Sequence, residues 1–255
     1  LSDNCLKDPR SEDNIQLGYG LQSWKYFHKY DTELRRQLTF QKHIQNTAEQ
    51  TIGKIFQKRK IKSRKSITLV GVHIRRGDKV GNHDGFNIAT PEYLNRSVNY
   101  YAKMYTTVLF LVISDDIAWS KTNMPTHVPV EFISLGKREF DMASVVACDH
   151  TIMTIGTFGW WIGYLTGGEV VYVKDAAKKG SRFERILNFE DHFYPQWGQM
   201  SWVQFQFTDT SSRKIDSKQM QKRNNTIGIL YYCWEKKSHD ELYIEMEETY
   251  GFLLG

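Results

Sequence analysis

The sequence is poor in the features that mark several large classes of protein. It has three cysteines in 255 residues, which excludes a disulfide-rich module. Its longest apolar run, Val108–Ile113, is far shorter than the roughly 20 residues that span a bilayer. The opening residues LSDNCLKDPR carry no apolar segment typical of a signal peptide. No internal repeat is present, so the sequence as given resembles neither a disulfide scaffold, an integral membrane protein, a collagen nor a coiled coil.

The motifs of several catalytic classes are also missing. The sequence contains no Asp-x-Asp pair, so that acidic metal clamp is absent. Cys148, Asp149 and His150 lack the spacing of zinc ligands, and no Gly-x-Ser-x-Gly nucleophile elbow occurs. No glycine pattern matches a P-loop or a dinucleotide fingerprint. We therefore expect no metal site and no cofactor.

Apolar and aromatic residues are abundant enough for a folded core. Hydrophobic residues make up 40% of the chain and aromatic residues 14%, which excludes a disordered protein. The net charge is +5, and the excess is concentrated in Lys54–Lys65. This basic run is either a nucleic-acid patch or a solvated connector between a helix and a strand. We favour the connector, because no aromatic residues follow that could stack bases.

The hydrophobic pattern changes along the chain. Apolar residues at spacings of three and four predict one amphipathic helix over Asp31–Gln57. Between residues 66 and 174, short β-branched runs alternate with helical segments, which is typical of an α/β fold with a parallel sheet covered on both faces. After Trp197 the order weakens: residues 208–226 are polar, and residues 227–234 predict a strand. The predicted strands of the alternating region are Ile67–His73, Val108–Ile113, Val130–Ile133, Thr151–Ile155 and Val170–Val173, and its predicted helices are Pro91–Tyr105, Ile117–Lys121, Phe140–Ala147 and Trp160–Leu165.

The first candidate site motif is His73-Ile-Arg75-Arg76-Gly-Asp78, at the carboxyl end of the first strand of the alternating region. Ligands of parallel α/β sheets bind at that edge. Two adjacent arginines there are costly unless they meet an anion, and their planar guanidinium groups suit the oxygens of a diphosphate. Asp78 can orient an arginine or accept a proton. The alternative is a structural Arg–Asp pair at the end of a strand.

Two further loops are predicted at the same edge. Ser114, Asp115 and Asp116 follow the second strand, where carboxylates can bind guanine, a ribose or a metal, or can cap the next helix. Thr154–Trp161 joins a strand to a helix, and small or hydroxyl residues there present backbone N–H groups to an anion. The alternative is an ordinary strand-to-helix turn. Three such loops, with arginine in place of a metal, predict a nucleotide-diphosphate site and favour a metal-free transferase over a kinase.

These motifs resemble those of the galactoside α1,2-fucosyltransferase family. VGVHIRRGD at Val70–Asp78 is similar to the family's H-x-R-R-G-D strand end, and VISDDIAW at Val112–Trp119 is similar to its second region. A long third region runs from Asp141 to Val173. The resemblance covers roughly Leu17 to Trp197, and includes GYGLQSWKYF upstream and FYPQW downstream.

The resemblance implies a GT-B glycosyltransferase, in which two Rossmann-like halves face a cleft. It implies an inverting, metal-independent transfer of L-fucose from GDP-β-L-fucose to the 2-hydroxyl of a terminal galactose. On this basis residues 1–65 are a remnant of the N-terminal half with the long helix, residues 66–202 are a Rossmann-like GDP-fucose-binding domain, and residues 203–255 are a divergent tail. The full-length form would be a type II membrane protein of the Golgi lumen, with an anchor absent from this chain. In that compartment Asn95 and Asn224 are glycosylation acceptors.

The resemblance also implies roles for single residues. Arg75 would hold the β-phosphate, and Asp115 or Asp116 with His73 would hold the guanosine. In the related α1,6 branch a carboxylate base follows the arginine pair, and the same offset here carries His83. The base assignment therefore stays open. The expected catalytic residues are Arg75, Arg76, Asp78, His83 and Asp84, and the expected GDP-fucose-binding residues are His73, Arg75, Arg76, Ser114, Asp115, Asp116, Thr157, Phe158 and Gly159.

The sequence lacks the glycine-rich segment with which the family's catalytic domain begins. We therefore expect an incomplete N-terminal half, a donor half-site with weak or no transfer, and apolar surface exposed on the helix Asp31–Gln57. Two other functions stay open: a GDP-sugar-binding fragment without turnover, and, less favoured, a basic nucleic-acid-binding protein. The leading interpretation takes GDP-fucose and a galactose-terminated glycan as partners, without nucleic acid.

Overall fold

The computed structural model of this chain describes residues 23–200 and the strand Phe252–Leu253. Strands and helices alternate through most of this range. The strands are β1 (Thr39–Phe40), β2 (Thr68–Ile74), β3 (Val108–Ser114), β4 (Val130–Phe132), β5 (His150–Met153), β6 (Val170–Val173), β7 (Gly198–Met200) and β8 (Phe252–Leu253). The helices are α1 (Asp31–Gln37), α2 (Lys42–Lys58), α3 (Pro91–Met104), α4 (Ile117–Asn123), α5 (Arg138–Val146), α6 (Thr157–Thr166), α7 (Arg182–Ile186) and α8 (Phe189–His192).

Six strands form one parallel sheet in the order β4-β3-β2-β5-β6-β7. Counted along the chain, this is the 3-2-1-4-5-6 order of the doubly wound nucleotide-binding sheet. The order reverses between β2 and β5, so the loops leaving these strands diverge and open a crevice at the carboxyl edge. His73 pairs with Ile113 on one side and Met153 on the other, which brings the ends of β2, β3 and β5 level. The expected Rossmann-like parallel sheet is confirmed.

Both faces of the sheet are covered. Helices α2, α5 and α6 pack on one face and α3 packs on the other. Successive residues of β2 point to opposite faces: Leu69 enters one core layer, and Val70 and Val72 enter the other. Helix α5 comes so close to β2 that a Cβ added to Gly71 would lie 3.0 Å from the carbonyl oxygen of Val145. Burial on both faces explains why the strands appear in the sequence as continuous apolar runs.

Most boundaries follow local signals. Thr90 Oγ1 accepts the backbone N–H of Tyr93 at 3.3 Å and Pro91 occupies the first turn, so α3 begins where the sequence predicts. Helix α6 begins three residues before the predicted Trp160, because Gly156 turns the chain sharply with a φ of 93°. Strand β7 was not predicted: it is short, carries no apolar run, and pairs only with β6 in the parallel sheet.

The prediction of one helix over Asp31–Gln57 is wrong. The helix stops at Gln37, a two-residue strand follows, and α2 begins at Lys42. Leu38 and Phe40 are both buried in the same core layer. Residues two apart point about 200° from each other on a helix but share a face in an extended chain, so an extended segment buries both. Strand β1 pairs antiparallel with β8.

The expected exposure of apolar surface on this segment is also wrong. Ile44, Ala48 and Ile55 of α2 are buried, and Ile52 and Phe56 pack against the same core layer. Helix α2 packs against α5, which covers the same face of the sheet. Among the described residues, the exposed large hydrophobic side chains all lie outside α1 and α2.

The basic run is a connector between α2 and β2, as favoured from the sequence. Arg59 Nε pairs with Glu131 at 2.6 Å, and Lys58 Nζ pairs with the same carboxylate at 2.8 Å. Arg64 pairs with Asp149 at 2.7 Å. These cations tie the end of α2 and the start of β2 to the sheet. The predicted polar loop 208–226, the predicted strand 227–234 and Asn224 lie outside the described residues.

Candidate nucleotide-diphosphate site

Three loops meet at the carboxyl edge of the sheet, as the sequence predicts. The backbone N–H of Arg75, just after β2, donates to Thr154 Oγ1 after β5 at 2.8 Å. The next N–H, of Arg76, donates to Asp115 Oδ1 after β3 at 2.8 Å. One dipeptide therefore links all three loops by its backbone. Its position coincides with the reversal of strand order, where ligands of open α/β sheets bind.

Arg75 presents its guanidinium at the surface of this edge. Nη1 lies 2.7 Å from Asp115 Oδ2, and Nη2 donates to Asp78 Oδ1 at 2.5 Å. The side chain is 36% exposed, so the two carboxylates orient the group while water or a ligand still reaches it. A guanidinium has five N–H donors, and two carboxylate contacts leave donors for a phosphate.

Arg76 has a different environment. Its side chain is 11% exposed, and its guanidinium lies 3.8 Å above the ring of Trp119. Nη1 donates to the carbonyl of Ala89 at 3.1 Å, and Nε donates to Asp116 Oδ2 at 3.4 Å. This arginine is enclosed by the protein and ties the loop after β2 to the start of α4. The two arginines, which the sequence treats as a pair, have separate tasks.

The acidic loop after β3 also combines tasks. Asp116 Oδ1 accepts the N–H of Trp119 at 3.1 Å and caps α4, as one of the two sequence interpretations predicts. Ser114 Oγ accepts the N–H of Asp116 at 2.9 Å, which fixes the turn. Asp115 approaches so closely that a Cβ on Gly77 would lie under 3.0 Å from its carboxylate. Gly77 therefore allows Asp115 to reach both arginines.

The start of α6 faces the same crevice. The first hydrogen bond within the helix is that of Trp160 N–H to the Gly156 carbonyl at 3.2 Å, and no side chain in the described part of the chain caps the helix. The backbone N–H groups of Thr157, Phe158 and Gly159 precede that bond and have no helical acceptor. A Cβ on Gly156 would lie 3.8 Å from Arg75 Cγ, so the helix end adjoins the arginine. Helix N–H groups beside a guanidinium form an arrangement suited to a phosphate group.

His73 lies beneath this helix end. It is 5% exposed, and its Nδ1 has no hydrogen-bond partner among the described residues. Burial, together with the positive charge of Arg75, lowers its pKa to about 3, so the ring is neutral. A Cβ on Gly159 would come under 3.0 Å from Nδ1. The ring of Phe158 lies 5.4 Å from the imidazole, and the histidine forms the floor of the site rather than its open wall.

The three candidate bases lie on the loop between β2 and α3. Asp78 contacts Arg75, and it also contacts Lys79 Nζ at 3.0 Å. Burial alone would raise the pKa of Asp78, but the hydrogen bond from Lys79 and the charge of Arg75 lower it below its ordinary value. His83 is exposed. Asp84 lies 3.6 Å from Arg182 and is about half exposed.

Several residues that shape the site were missing from the sequence-based set. Thr154 is fully buried and holds the backbone of Arg75, and Trp119 covers Arg76. Gly77 and Gly156 allow the close approaches described above. Gly77 lies within the motif His73–Asp78, and Thr154 and Gly156 lie within the loop Thr154–Trp161, so the sequence marks their segments but not their contacts. The contact of Trp119 with Arg76 depends on tertiary packing and leaves no local signal. Within residues 23–200, no helix is long and apolar enough to cross a bilayer, and no group of three potential metal-ligating side chains is found.

Comparison with known proteins finds a matching family model and several curated relatives. Residues 6–201 match the model of glycosyl transferase family 11. The chain is 31% identical over 182 residues to a galactoside 2-alpha-L-fucosyltransferase of Bos taurus, covering 69% of this chain and 48% of that protein. It is 33% identical over 182 residues to galactoside alpha-(1,2)-fucosyltransferase 2 of Gorilla gorilla gorilla, with 69% and 52% covered. It is 33% identical over 183 residues to galactoside alpha-(1,2)-fucosyltransferase 1 of Homo sapiens, with 69% and 49% covered.

The chain spans about half the length of the curated relatives it matches. The family match includes every element of the parallel sheet, from β2 to β7, and all three loops of the candidate site. It extends over well more than half of the chain. The chain belongs to glycosyl transferase family 11.

Proposed function

We propose that this chain binds GDP-fucose and carries the donor site of a galactoside α1,2-fucosyltransferase. The observation that carries the proposal is the position of the Arg75 side chain, whose Cγ adjoins the start of α6 at Gly156 and whose guanidinium is partly exposed, at the point where the strand order reverses. A diphosphate held there meets a fixed cation and three backbone N–H groups. The identity of the transferred sugar, fucose, and the α1,2 linkage to a galactoside are inferred from the names of the relatives.

The proposed chemistry follows from charge. As the bond between fucose and the β-phosphate stretches, negative charge grows on the leaving GDP and positive charge grows on the sugar ring. Arg75 and the helix N–H groups stabilise the leaving group more as its charge develops, which lowers the barrier instead of only tightening binding. The galactose 2-hydroxyl attacks from the opposite side, and a base takes its proton, so the configuration at the sugar carbon inverts.

The geometry changes the proposed roles of two residues. Arg76 is enclosed by Trp119, Asp116 and the Ala89 carbonyl, so we assign it to holding the loop rather than to the phosphate. His73 is buried under α6, so we assign it to positioning the helix end rather than to guanosine. We therefore assign guanosine binding to the loop Ser114–Asp116, where the Asp116 side chain is 34% exposed.

The base is proposed from the same loop. Asp78 is held between two cations and its lowered pKa makes it a weak proton acceptor. Asp84 and His83 are the better candidates, because Asp84 contacts a single cation among the described residues, Arg182, at the longer distance of 3.6 Å, and His83 is exposed. We keep both in the proposal.

Metal independence is part of the proposal and rests on Arg75, which supplies at the leaving group the positive charge that a metal provides elsewhere. The Golgi lumen is the proposed location of the full-length protein. A nucleic-acid function is disfavoured, because Lys58, Arg59 and Arg64 of the basic run already form ion pairs with acidic side chains of this chain. A GDP-sugar-binding protein without turnover is the second candidate, because the geometry supports a donor site and leaves the base open between His83 and Asp84.

A calorimetric titration with GDP in the presence of EDTA tests the proposal. We expect GDP to bind, UDP to bind at least tenfold more weakly, and Arg75→Ala to lose about ten- to a hundredfold in affinity. Arg36→Ala is the matched control, because Arg36 is an exposed arginine paired with Glu33 on α1. Loss of GDP binding in EDTA with rescue by manganese, or equal affinity in wild type and Arg75→Ala, contradicts the proposal. Transfer of labelled fucose to a galactoside separates the enzyme from the binding protein.

A further inference from the structure

A cavity of about 220 Å³ lies beside the candidate donor site and has no role in the function proposed above. Its walls come from the loop between β2 and α3 and from the segment after β6. It is open to solvent on one side. The residues that line it are Lys79, Gly81, Phe86, Asn87, Ile88, Thr90 and Lys178.

The walls of this cavity are fixed by contacts between the two segments. The N–H of Asn87 donates to the carbonyl of Ala176 at 2.9 Å, and the N–H of Lys178 donates to the carbonyl of Gly85 at 2.8 Å. The ring of Phe86 packs 4.0 Å from that of Phe183. The cavity is therefore formed by a paired, packed element of structure before any ligand binds, and its shape is not a by-product of a loose loop.

The size of the cavity restricts its ligand. Pockets for drug-sized ligands measure about 300–1,000 Å³, and a water molecule takes about 30 Å³ of the liquid. A volume of about 220 Å³ is too small for a nucleoside diphosphate and corresponds to a single sugar ring. The open side suits the terminal residue of a longer chain, because the rest of the glycan must extend into solvent.

The polar groups of the wall restrict the ligand further. Thr90 Oγ1 accepts the N–H of Tyr93, and its hydroxyl donates to the carboxylate of Glu92, so both of its hydrogen-bonding functions are used within the protein. Asn87 Nδ2 donates to the carbonyl of Asp175 at 2.7 Å, which orients its carbonyl oxygen as an acceptor. Lys178 brings an ammonium group with three donors, and Ile88 supplies an apolar patch. A sugar ring, which carries hydroxyl groups and has an apolar face, is complementary to these polar groups and this apolar patch.

The charge of the cavity wall indicates whether the fucose of the donor or the sugar of the acceptor binds there. No carboxylate lines the cavity, and two lysines do. The fucose ring becomes positive as it leaves GDP, and a cationic wall would destabilise it. The acceptor ring is neutral and loses a proton from its hydroxyl, so a nearby ammonium group stabilises the oxygen as negative charge develops.

The cavity adjoins the reacting groups of the proposed site. Asp78 connects them: one carboxylate oxygen accepts from Arg75 and the other contacts Lys79, which lines the cavity. The same loop carries His83 and Asp84, the candidate bases. A ring in the cavity would contact Lys79, and Lys79 and Asp78 would connect it to the phosphate-binding arginine.

We propose that this cavity binds the terminal galactose of the acceptor glycan, with Lys178 and Asn87 as its hydrogen-bonding partners. The proposal rests on the proposed function and extends it. It is compatible with the expectation that part of the acceptor half is missing: the terminal sugar binds here, and further sugars of the glycan bind elsewhere.

The test is saturation-transfer NMR with methyl β-D-galactoside on the protein saturated with GDP, with methyl β-D-glucoside as the epimeric comparison. We expect the galactoside to bind wild type, and Lys178→Ala to weaken it roughly tenfold, as expected for the loss of a hydrogen bond to a charged group. Lys179→Ala is the matched control, because it removes an exposed neighbouring lysine that does not line the cavity. Ile88→Trp, which fills the cavity, should abolish the signal.

GDP affinity, measured in the same variants, distinguishes this proposal from the function on which it rests. GDP affinity is expected to stay unchanged in Lys178→Ala and Ile88→Trp, which also shows that they are folded. If the galactoside does not bind wild type, or binds both cavity variants as it binds wild type, the proposal is overturned even though GDP binds. If Lys178→Ala lowers the affinity for GDP or inorganic phosphate instead, the cavity is an anion site and the proposal is equally overturned. A failure of GDP binding in wild type overturns the donor function, and the same galactoside measurement made without GDP on wild type and the cavity variants then decides the cavity.

Discussion

Replacing Arg76 by alanine should destabilise the protein, whereas replacing its neighbour Arg75 should not. Arg76→Ala removes a charge-assisted hydrogen bond, worth about 1.5–3 kcal/mol, and a cation–π contact with Trp119, worth about 0.5–2 kcal/mol. It also leaves the Ala89 carbonyl without its donor. Because these terms are not fully additive, we expect the free energy of unfolding to fall by about 2–4 kcal/mol. Arg75→Ala removes only partly exposed ion pairs, worth about 0–1 kcal/mol.

Thermal unfolding followed by circular dichroism measures this difference. For a chain of this size, about 2–4 kcal/mol corresponds to a fall in Tm of about 4–16 °C for Arg76→Ala, and Arg75→Ala should stay within about 4 °C of wild type. The GDP affinity of the folded fraction should change in the opposite order, with the larger loss in Arg75→Ala. Equal Tm values for the two variants, or a larger loss of stability in Arg75→Ala, would refute the division of tasks between the two arginines.

Three further predictions use other parts of the site. Gly159→Ala should lower GDP affinity at least tenfold, because the new Cβ would collide with His73 Nδ1 and push the start of α6 away; Gly53→Ala, where space is open on α2, should stabilise the protein by about 0.5–1 kcal/mol with no change in affinity. The free energy of unfolding should decrease as the pH falls from about 6.5 toward 3, because His73, with its pKa lowered to about 3, stays neutral in the folded state while the unfolded chain binds a proton. Chemical denaturation at several pH values should show a weaker pH dependence for His73→Gln than for wild type, and an unchanged dependence would contradict the burial of His73. Expression in a secretory host should attach a glycan to Asn95, which is exposed on α3. Asn95→Gln should then lower the mass of the protein by one glycan that an endoglycosidase removes from wild type. If the glycan content of the two proteins is the same, Asn95 is not accessible in that compartment.

Much of the sheet could be predicted from the sequence, because its signals are local. The apolar run Val108–Ile113 marked β3, the β-branched run Ile67–His73 marked β2, and Thr90 followed by Pro91 marked the start of α3. Since parallel strands end at one edge, the meeting of the three loops followed from their order along the chain. Strand β7 was not predicted, because an edge strand of three residues needs no apolar run.

The errors come from tertiary structure. The amphipathic spacing of residues 31–57 continues across the break at Leu38, since the pattern records which residues are buried and not which backbone buries them. Adjacent arginines look equivalent in sequence, yet Trp119 and the Ala89 carbonyl enclose only Arg76. The burial of His73 depends on how closely α6 approaches β2 at Gly159, a distance that no local motif specifies.

A crystal structure of this chain with GDP tests the central claim most directly. The account predicts the β-phosphate oxygens about 2.7–2.9 Å from the Arg75 guanidinium, with the backbone N–H groups of Thr157, Phe158 and Gly159 directed at the diphosphate. It also predicts Arg76 still packed on Trp119, with no phosphate contact. A diphosphate bound against Lys79 and Lys178 in the cavity, or away from the carboxyl ends of β2 and β5, would contradict it.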